Sequence, residues 1–293
     1  MTSINLNPKR VVCSDNSGRI TRTINLNPRK LIWVTDIHLN FLSLESRVEF
    51  YTLIKKQKPD YVLITGDISE ADVLNKHLVE MYASVKRPIY FVLGNHDYYN
   101  GSWEEVDLNA KAAFSRDQER GVYYLPTNPQ EITTTALIGI NNWYDCKSGR
   151  IGFVGLNDWN YIKEYLGTKN MAEICKVSLQ RCKAAIKDLQ NQIESIAAST
   201  TVNRIIIAMH VPPFKQLSMF EGKRSSPYYL PFFSSATTGR ALKKLAKAYP
   251  HITFDVYCGH THSKAEYHPL KNLHCYCGAS EYGAPSIAGI IEV

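Results

Sequence analysis

Five short apolar runs in this chain each end in a cluster of Asp, Asn or His side chains. Short runs that are rich in β-branched residues are typical of buried strands. In an α/β sheet, ligands bind where the carboxyl ends of strands meet. The five clusters are Asp36-Ile37-His38, Gly66-Asp67, Gly94-Asn95-His96-Asp97, His210 and Gly259-His260-Thr261-His262. Packing does not explain five strand ends that all deliver metal-binding side chains, so we interpret them as one binuclear metal centre.

Strand and helix patterns alternate from Leu31 onward. The resulting βαβαβ order favours an α/β fold with a mainly parallel sheet and right-handed crossovers. Thr-, Ile- and aromatic-rich pieces within 122–158 predict a second set of strands. The other predicted strands are 31–35, 61–65, 89–93, 204–209 and about 252–258, followed by short strands up to residue 293. The predicted helices are about 43–57, 69–85, 102–121, 171–198 and 237–249.

The amino-terminal segment contains a local repeat. Residues 4–12 recur almost unchanged as 24–32, and the second copy leads into the first buried strand. We expect residues 1–29 to form a strand-like arm that pairs beside this strand or packs on its surface. Residues 30–293 are predicted to form one domain with a long loop at 211–235. A loop of this length is usually functional or disordered, and we interpret it as substrate-facing because it follows a candidate metal ligand.

The bulk composition excludes few partners. A length of 293 residues is enough for one sizeable core, and a net charge of +7 is compatible with phosphorylated small molecules, nucleotides or nucleic acid. No apolar run approaches the roughly 18 residues of a membrane helix, and the first residues lack the apolar segment of a secretory signal. Seven scattered cysteines lead us to expect reduced, buried thiols in a cytoplasmic protein without a membrane partner. No pattern indicates an oligomeric state.

The order and spacing of the five clusters resemble the calcineurin-like metallophosphoesterase superfamily. Its blocks read D-x-H, G-D-x-x-[DE], G-N-H-[DE], a lone H and G-H-x-H, and this chain carries all five in that order between residues 36 and 262. The resemblance implies an αββα fold, in which two mixed β-sheets lie between helices. It also implies a phosphoric ester hydrolase. The blocks look more like bacterial-type small phosphoesterases than protein Ser/Thr phosphatases, because Ala71-Asp72 stands where the latter carry Arg-Gly.

The resemblance assigns ligands for two divalent ions that share one carboxylate. The first ion takes Asp36, His38, Asp67 and His262, and the second takes Asp67, Asn95, His210 and His260. Nitrogen and oxygen ligands without a thiolate suit manganese, iron, zinc or cobalt better than calcium. Two ions roughly 3.5–4 Å apart can clamp an attacking hydroxide and a phosphoryl oxygen, so we expect in-line attack by a metal-bridged hydroxide.

Two further residues are expected to act in catalysis without binding metal. In the family, the histidine after the ligating asparagine contacts a phosphoryl oxygen or protonates the leaving group, which assigns that role to His96. Glu70 matches the acid that orients this histidine and fixes its tautomer. An acid in the first turn of a helix is an equally good explanation of Glu70. Asp97 is either support for the ligands or a turn residue.

The blocks resemble bacterial-type small phosphoesterases, which include cyclic-nucleotide phosphodiesterases. The expected activity is therefore that of a phosphodiesterase or phosphatase on small nucleotides. Aromatic side chains near the clusters could stack on a base, although packing within the loops explains them equally well. These aromatics are Tyr98, Tyr99, Tyr228, Tyr229, Phe232 and Phe233. One alternative is a nuclease on the same centre, which would need an electropositive groove. An alternative of another class is a catalytically silent scaffold.

Overall fold

The computed structural model describes residues 4–7, 10–14, 20–25, 28–115, 121–152, 154–198 and 201–293. Its strands are β1 Ile4–Asn7, β2 Arg10–Ser14, β3 Ile20–Asn25, β4 Lys30–Val34, β5 Tyr61–Thr65, β6 Ile89–Val92, β7 Val122–Tyr124, β8 Gln130–Ile132, β9 Thr135–Gly139, β10 Arg204–Ala208, β11 Met219–Phe220, β12 Lys223–Arg224, β13 Thr253–Cys258, β14 Ala265–Leu270, β15 Leu273–Cys277 and β16 Gly289–Glu292. Its helices are α1 Leu44–Lys56, α2 Leu74–Val85, α3 Trp103–Ala113, α4 Asp158–Tyr161, α5 Met171–Ala197, α6 Leu230–Phe233 and α7 Ala236–Ala248.

Two large mixed sheets organise these elements. The first has the strand order β16-β4-β5-β6-β7, in which β4 to β7 are parallel and β16 pairs antiparallel with β4. The second has the order β14-β15-β13-β10-β9-β8, with a parallel centre and antiparallel edges. Within each sheet the parallel strands therefore end on the same side. All five predicted clusters directly follow the carboxyl ends of these strands.

The two sheets pack face to face with helices outside. Leu31 and Trp33 of β4 contact residues of the second sheet such as Ile206, because alternate side chains of a strand point to opposite faces. Ile32 and Val34 point the other way, into a cluster shared with α1, α2 and α3. The outer face of the second sheet is covered by α5 and α7. This arrangement confirms the predicted αββα fold.

Helix α2 begins at Leu74, five residues later than the sequence pattern predicts. The backbone N–H groups of Ile68 and Ser69 donate to Asp97 Oδ1 at 2.8 and 2.9 Å. The segment that carries Asp67 is thereby held as a loop against the third cluster. The amphipathic pattern alone cannot reveal this long-range contact.

The amino-terminal strands pair with one another. β1, β2 and β3 form an antiparallel sheet, whereas β4 has β16 and β5 as its two neighbours. The expected pairing of the arm beside β4 is therefore wrong, because the carboxyl-terminal strand occupies that edge. The side chains of residues 1–27 lie outside the described part, so packing of the arm on the surface and a domain boundary at residue 29 stay predictions.

One pair of cysteines departs from the expectation of reduced thiols. Cys146 and Cys175 form a disulfide with their Cα atoms 5.6 Å apart. They are 29 residues apart in the chain and are brought together only when α5 packs beside the loop after β9. The other described cysteines, Cys182, Cys258, Cys275 and Cys277, are free and buried. None of the described helices combines the length and apolar composition that a membrane span requires.

Candidate metal centre and substrate cavity

Seven predicted ligands meet where the carboxyl ends of the two sheets adjoin. The first sheet supplies Asp36 and His38 after β4, Asp67 after β5 and Asn95 after β6, and the second supplies His210 after β10 and His260 and His262 after β13. All but His260 and His262 are buried, and these two are half-buried. A centre at this place is buried below the loops but open on one side.

The donors form overlapping groups. Each group has donor atoms within 4.8 Å of one another, and the three groups are Asp36, His38 and His262; His38, Asp67 and His96; and Asp67, His210 and His260. Asn95 joins the last group through its Oδ1, which lies 2.9 Å from His260 Nδ1 and 3.1 Å from His210 Nε2. Asp67 belongs to two groups, which is the position that a bridging carboxylate needs.

The spacing of the donors fits shared cations. His38 Nε2 lies 3.4 Å from His262 Nε2, and His262 Nε2 lies 3.5 Å from Asp36 Oδ1. His210 Nε2 lies 3.3 Å from Asp67 Oδ2. Two ligands that are each about 2.1 Å from one ion lie about 3.0–3.5 Å apart at tetrahedral or octahedral angles. The imidazole and carboxylate donors therefore fit divalent transition-metal ions in both chemistry and spacing.

Backbone strain is concentrated at the same residues. Among the described residues, eleven non-glycine residues have a positive φ, and five of them are predicted ligands. Left-handed backbone is unfavourable for residues with a Cβ and persists where the surroundings enforce it, commonly at functional sites. The five are Asp36 at 50°, His38 at 40°, Asp67 at 52°, His260 at 74° and His262 at 51°. The sharp turn after each strand brings these side chains onto the centre.

Two glycines allow the carboxylates to approach the backbone. A Cβ on Gly94 would lie 2.2 Å from Asp67 Oδ1, and a Cβ on Gly259 would lie 2.1 Å from Asp36 Oδ2. Both distances are far shorter than any ordinary contact between carbon and oxygen. The glycine that precedes a ligand in the third and fifth clusters is therefore required by the packing of the other ligands.

Burial keeps two of the histidines neutral. Burial lowers the pKa of His38 to about 3 and the pKa of His260 to about 3, and the nearby carboxylate of Asp67 offsets this only in part. A neutral imidazole has a free lone pair, which is the form that binds a metal ion. These two rings are therefore ready to act as ligands at neutral pH.

His210 and Asp67 form a buried pair. Although burial opposes the charged ring, the carboxylates of Asp67 and Asp36 raise the pKa of His210 to about 10. In turn, His210, His96 and His38 outweigh burial and hold the pKa of Asp67 well below its ordinary value. The centre therefore stabilises positive charge, and a metal ion bound there would displace the proton on His210.

Backbone carbonyls orient the imidazole rings. His210 Nδ1 donates to Thr65 O at 2.8 Å, and His262 Nδ1 donates to Ser280 O at 3.0 Å, so that both Nε2 atoms face the centre. His260 has the opposite orientation, because its Nε2 donates to Phe232 O at 3.0 Å. Partners of this kind fix the tautomer of a ligating histidine.

Asp158 supports Asn95, although no sequence motif includes it. Its Oδ1 accepts hydrogen bonds from Asn95 Nδ2 and from Tyr99 OH, both at 2.8 Å. Because the amide nitrogen is held in this way, Asn95 turns its Oδ1 toward His210 and His260. Asp158 lies 63 residues beyond Asn95 in the chain and belongs to no motif, so the sequence carries no signal for it.

His96 lies at the centre without its predicted carboxylate partner. Its backbone N–H donates to Asp67 Oδ1 at 2.9 Å, and its ring stacks on Tyr99 with centroids 4.2 Å apart. Glu70 instead accepts from Asn40 Nδ2 at 3.2 Å and from Asn100 Nδ2 at 3.1 Å. His96 Nδ1 is buried without a hydrogen-bond partner among the described residues. The described hydrogen bonds of Glu70 thus come from two asparagines, and its expected orientation of His96 stays a prediction.

Asp97 connects two of the clusters. Its Oδ2 accepts from the backbone N–H of Gly94 at 2.8 Å, and its Oδ1 accepts from two backbone N–H groups after Asp67. Burial and the nearby Asp67 raise the pKa of Asp97. Of the two predicted roles, support for the ligand loops is therefore the one that the contacts favour.

A cavity of about 730 Å³ opens above the centre. The long loop contributes Phe220, Glu221 and Phe233 to its lining, and its role in facing a substrate stays a prediction. The predicted aromatics divide into two sets. Tyr99 and Phe233 line the cavity, whereas Tyr98 and Phe232 are fully buried elsewhere. Tyr228 and Tyr229 are partly exposed but do not line it.

Comparison with known proteins identifies the family. A model of the calcineurin-like phosphoesterase family matches residues 29–264. An uncharacterized metallophosphoesterase from Aquifex aeolicus is 35% identical over 89 residues, which cover 29% of this chain and 34% of that protein. The match thus spans about a third of that relative. An uncharacterized protein of Acanthamoeba polyphaga mimivirus is 22% identical over 254 residues, or 82% of this chain and 86% of that protein.

Solved structures agree in fold. A phosphopantetheinyl hydrolase from Mycobacterium tuberculosis covers 91% of this chain and 96% of its own with a TM-score of 0.59 at 12% identity. A dimetal phosphatase from Danio rerio covers 86% of this chain and 88% of its own with a TM-score of 0.54 at 10% identity. Identities this low show the fold alone. Because the family match includes all five clusters and most of the chain, this protein belongs to the calcineurin-like phosphoesterase family, which implies metal-dependent hydrolysis of phosphoesters.

Proposed function

We propose that this chain hydrolyses phosphoesters of small nucleotides at a centre of two divalent ions. The observation that carries the proposal is the convergence of seven side chains with nitrogen or oxygen donors, Asp67 among them, beneath a cavity of about 730 Å³. Pockets for small-molecule ligands usually have about 300–1,000 Å³. A nucleotide therefore fits the space above the ligands.

The ligand sets proposed for the two ions share Asp67. Its Oδ2 lies 3.3 Å from His210 Nε2 and 3.8 Å from His38 Nε2, which belong to opposite sides of the centre. The first set consists of Asp36, His38, Asp67 and His262, and the second consists of Asp67, Asn95, His210 and His260. When bound, the ions would activate water as the nucleophile and polarise the phosphoryl group.

The protein's own residues would position the ester and assist its leaving group. His96 lines the cavity beside Asp67. Its Nε2 lies 3.3 Å from the hydroxyl of Tyr282, which also lines the cavity. A general acid must lie within hydrogen-bond reach of the leaving oxygen, and a ring held by stacking on Tyr99 satisfies the need for a fixed geometry. We assign His96 to the phosphoryl group or the leaving oxygen.

The cavity lining favours a small substrate over nucleic acid. The described lining residues include no lysine or arginine, whereas Asp158, Glu221 and Glu281 are present. Nucleic-acid grooves are electropositive, so the nuclease alternative gains no support. Phe220 is 62% exposed at the cavity and offers a ring face on which a base could stack.

The proposal is tested by hydrolysis of p-nitrophenyl phosphate and bis(p-nitrophenyl) phosphate after the protein is stripped with a chelator and resupplied with manganese. We expect turnover to return with two bound ions per chain. A preference for the diester assigns a phosphodiesterase, and a preference for the monoester assigns a phosphatase. Adenosine monophosphate should be a better substrate than ribose phosphate if the base is recognised.

Two results would contradict the proposal. Activity on oligonucleotides that falls steeply with added salt would indicate the nuclease instead. Two bound ions without turnover of any ester would indicate the silent scaffold. Metal content and turnover are therefore measured on the same samples.

A further inference from the structure

Tyr282 packs against the predicted ligands, although no motif includes it. It lines the cavity and is 55% exposed, although its ring lies directly on two predicted ligands. Its ring stacks on His38 with centroids 4.3 Å apart and on His262 with centroids 4.6 Å apart. Phe41 contacts it edge-on at 5.6 Å. The ring is therefore held on the ligand side and free on the cavity side.

The hydroxyl of Tyr282 lies beside the reactive nitrogen of His96. Tyr282 OH is 3.3 Å from His96 Nε2, which is long for a hydrogen bond between a hydroxyl and a nitrogen. Two donors at this separation can both reach a single oxygen at about 2.8–3.0 Å. Because both residues line the cavity, that oxygen can belong to a bound ester.

We propose that Tyr282 is a catalytic residue whose hydroxyl donates a hydrogen bond to the leaving-group oxygen beside His96. The inference rests on the proposed phosphoesterase function and adds a second donor to it. As the ester P–O bond breaks, its electron pair moves to the leaving oxygen. The phenol keeps its proton and stabilises this oxygen by hydrogen bonding, while His96 supplies the proton that neutralises it. The attacking water supplies the new oxygen on phosphorus, and the proton that this water loses replaces the one that His96 has given up.

A donor to the leaving oxygen matters most when the leaving group is poor. An alkoxide carries more negative charge in the transition state than a nitrophenolate, whose ring already delocalises it. Removal of one donor to a developing oxyanion costs about 100- to 1,000-fold in a well-buried site, and less where water can replace the donor. For the half-exposed Tyr282 we expect a loss of about 10- to 100-fold.

The test compares Tyr282→Phe with wild type on two classes of ester. Phenylalanine keeps the stacking on His38 and His262 and removes only the hydroxyl. We expect kcat for an alkyl phosphate to fall about 10- to 100-fold, and kcat for the p-nitrophenyl ester to change by less than about threefold. Tyr228→Phe is the matched control, because Tyr228 is 47% exposed and does not line the cavity.

Other outcomes overturn the inference. Equal slowing of both ester classes, or no slowing of either, removes the leaving-group role. Faster turnover by Tyr282→Ala together with Tyr282→Phe would mean that the side chain obstructs the centre instead. A variant that loses metal is recognised by metal analysis, and Tyr282→Leu, which is apolar and has no hydrogen-bond donor, then repeats the comparison. If wild type itself hydrolyses no ester, the proposed function fails, which is a different result from all of these.

Discussion

Substitution of Gly94 by alanine should remove both metal ions while leaving the sheets intact. A Cβ at Gly94 would lie 2.2 Å from Asp67 Oδ1, 2.6 Å from the backbone nitrogen of Asp67 and 2.7 Å from His210 Cδ2. The φ of Gly94 is not positive, so the expected effect is steric and does not arise from backbone strain. Both residues that the methyl group would displace belong to the predicted ligand set.

The size of the effect follows from these distances. Ordinary contacts of a Cβ lie near 3.4 Å or beyond, so the carboxylate oxygen must move by about 1 Å. Metal sites require ligand distances within about 0.2 Å. A loss of metal affinity of at least about 100-fold is therefore expected for both ions, because Asp67 is the shared ligand. Overpacking of this kind also costs about 1–3 kcal/mol of stability.

The assay is metal analysis of Gly94→Ala after desalting, together with circular dichroism to check folding. Gly155→Ala is the matched control, because no described atom outside its chain neighbours lies within 4 Å of a Cβ at that position, and metal content should be unchanged. Two ions bound by Gly94→Ala with wild-type affinity would refute the assignment of Asp67 as the bridging ligand. An unfolded variant is distinguished from a metal-free one by its spectrum.

Three further predictions concern individual contacts at the centre. His96→Ala should lower turnover about 100-fold or more with both ions retained, and near-wild-type turnover of an ester with a poor leaving group would contradict this. Asp158→Ala should weaken the ion at Asn95 about 10- to 100-fold, because the amide loses its partner, and metal titration measures the change. The raised pKa of His210, about 10, means that metal binding must release its proton at neutral pH, so affinity should rise about tenfold per pH unit below pH 10. Calorimetry in buffers of different ionisation enthalpy should find about one proton released, and none released would contradict a protonated His210 in the metal-free protein.

Most of the architecture was predictable from local patterns. The strands of the parallel centres lie within a residue or two of their predicted bounds, because short β-branched runs mark buried strands. Helix α5 also follows its apolar stripe closely, with Ile186, Leu189 and Ile193 buried. Two of the exceptions involve distant partners. Asp97 holds the loop where helix α2 was expected to begin, and β16 occupies the sheet edge expected for the arm.

The sequence alone determined which side chains could bind metal and in what order the strands would deliver them. Each cluster is continuous in the chain and follows its own strand, so its position relative to that strand is local information. Because the strands are parallel, their carboxyl ends and the clusters that follow them lie at a common edge of the sheet. This is why the seven predicted ligands could be named before the fold was known.

Only the tertiary structure decided what surrounds them. Asp158 reaches Asn95 across 63 residues, and Tyr282 reaches His96 across 186. Glu70 matches a family position but is engaged by Asn40 and by Asn100 instead. Contacts of this kind arise when separate loops pack over the ends of two sheets. Neither periodicity nor spacing in the sequence predicts these contacts, because each depends on the paths of loops in space, and the positions of the strands do not fix those paths.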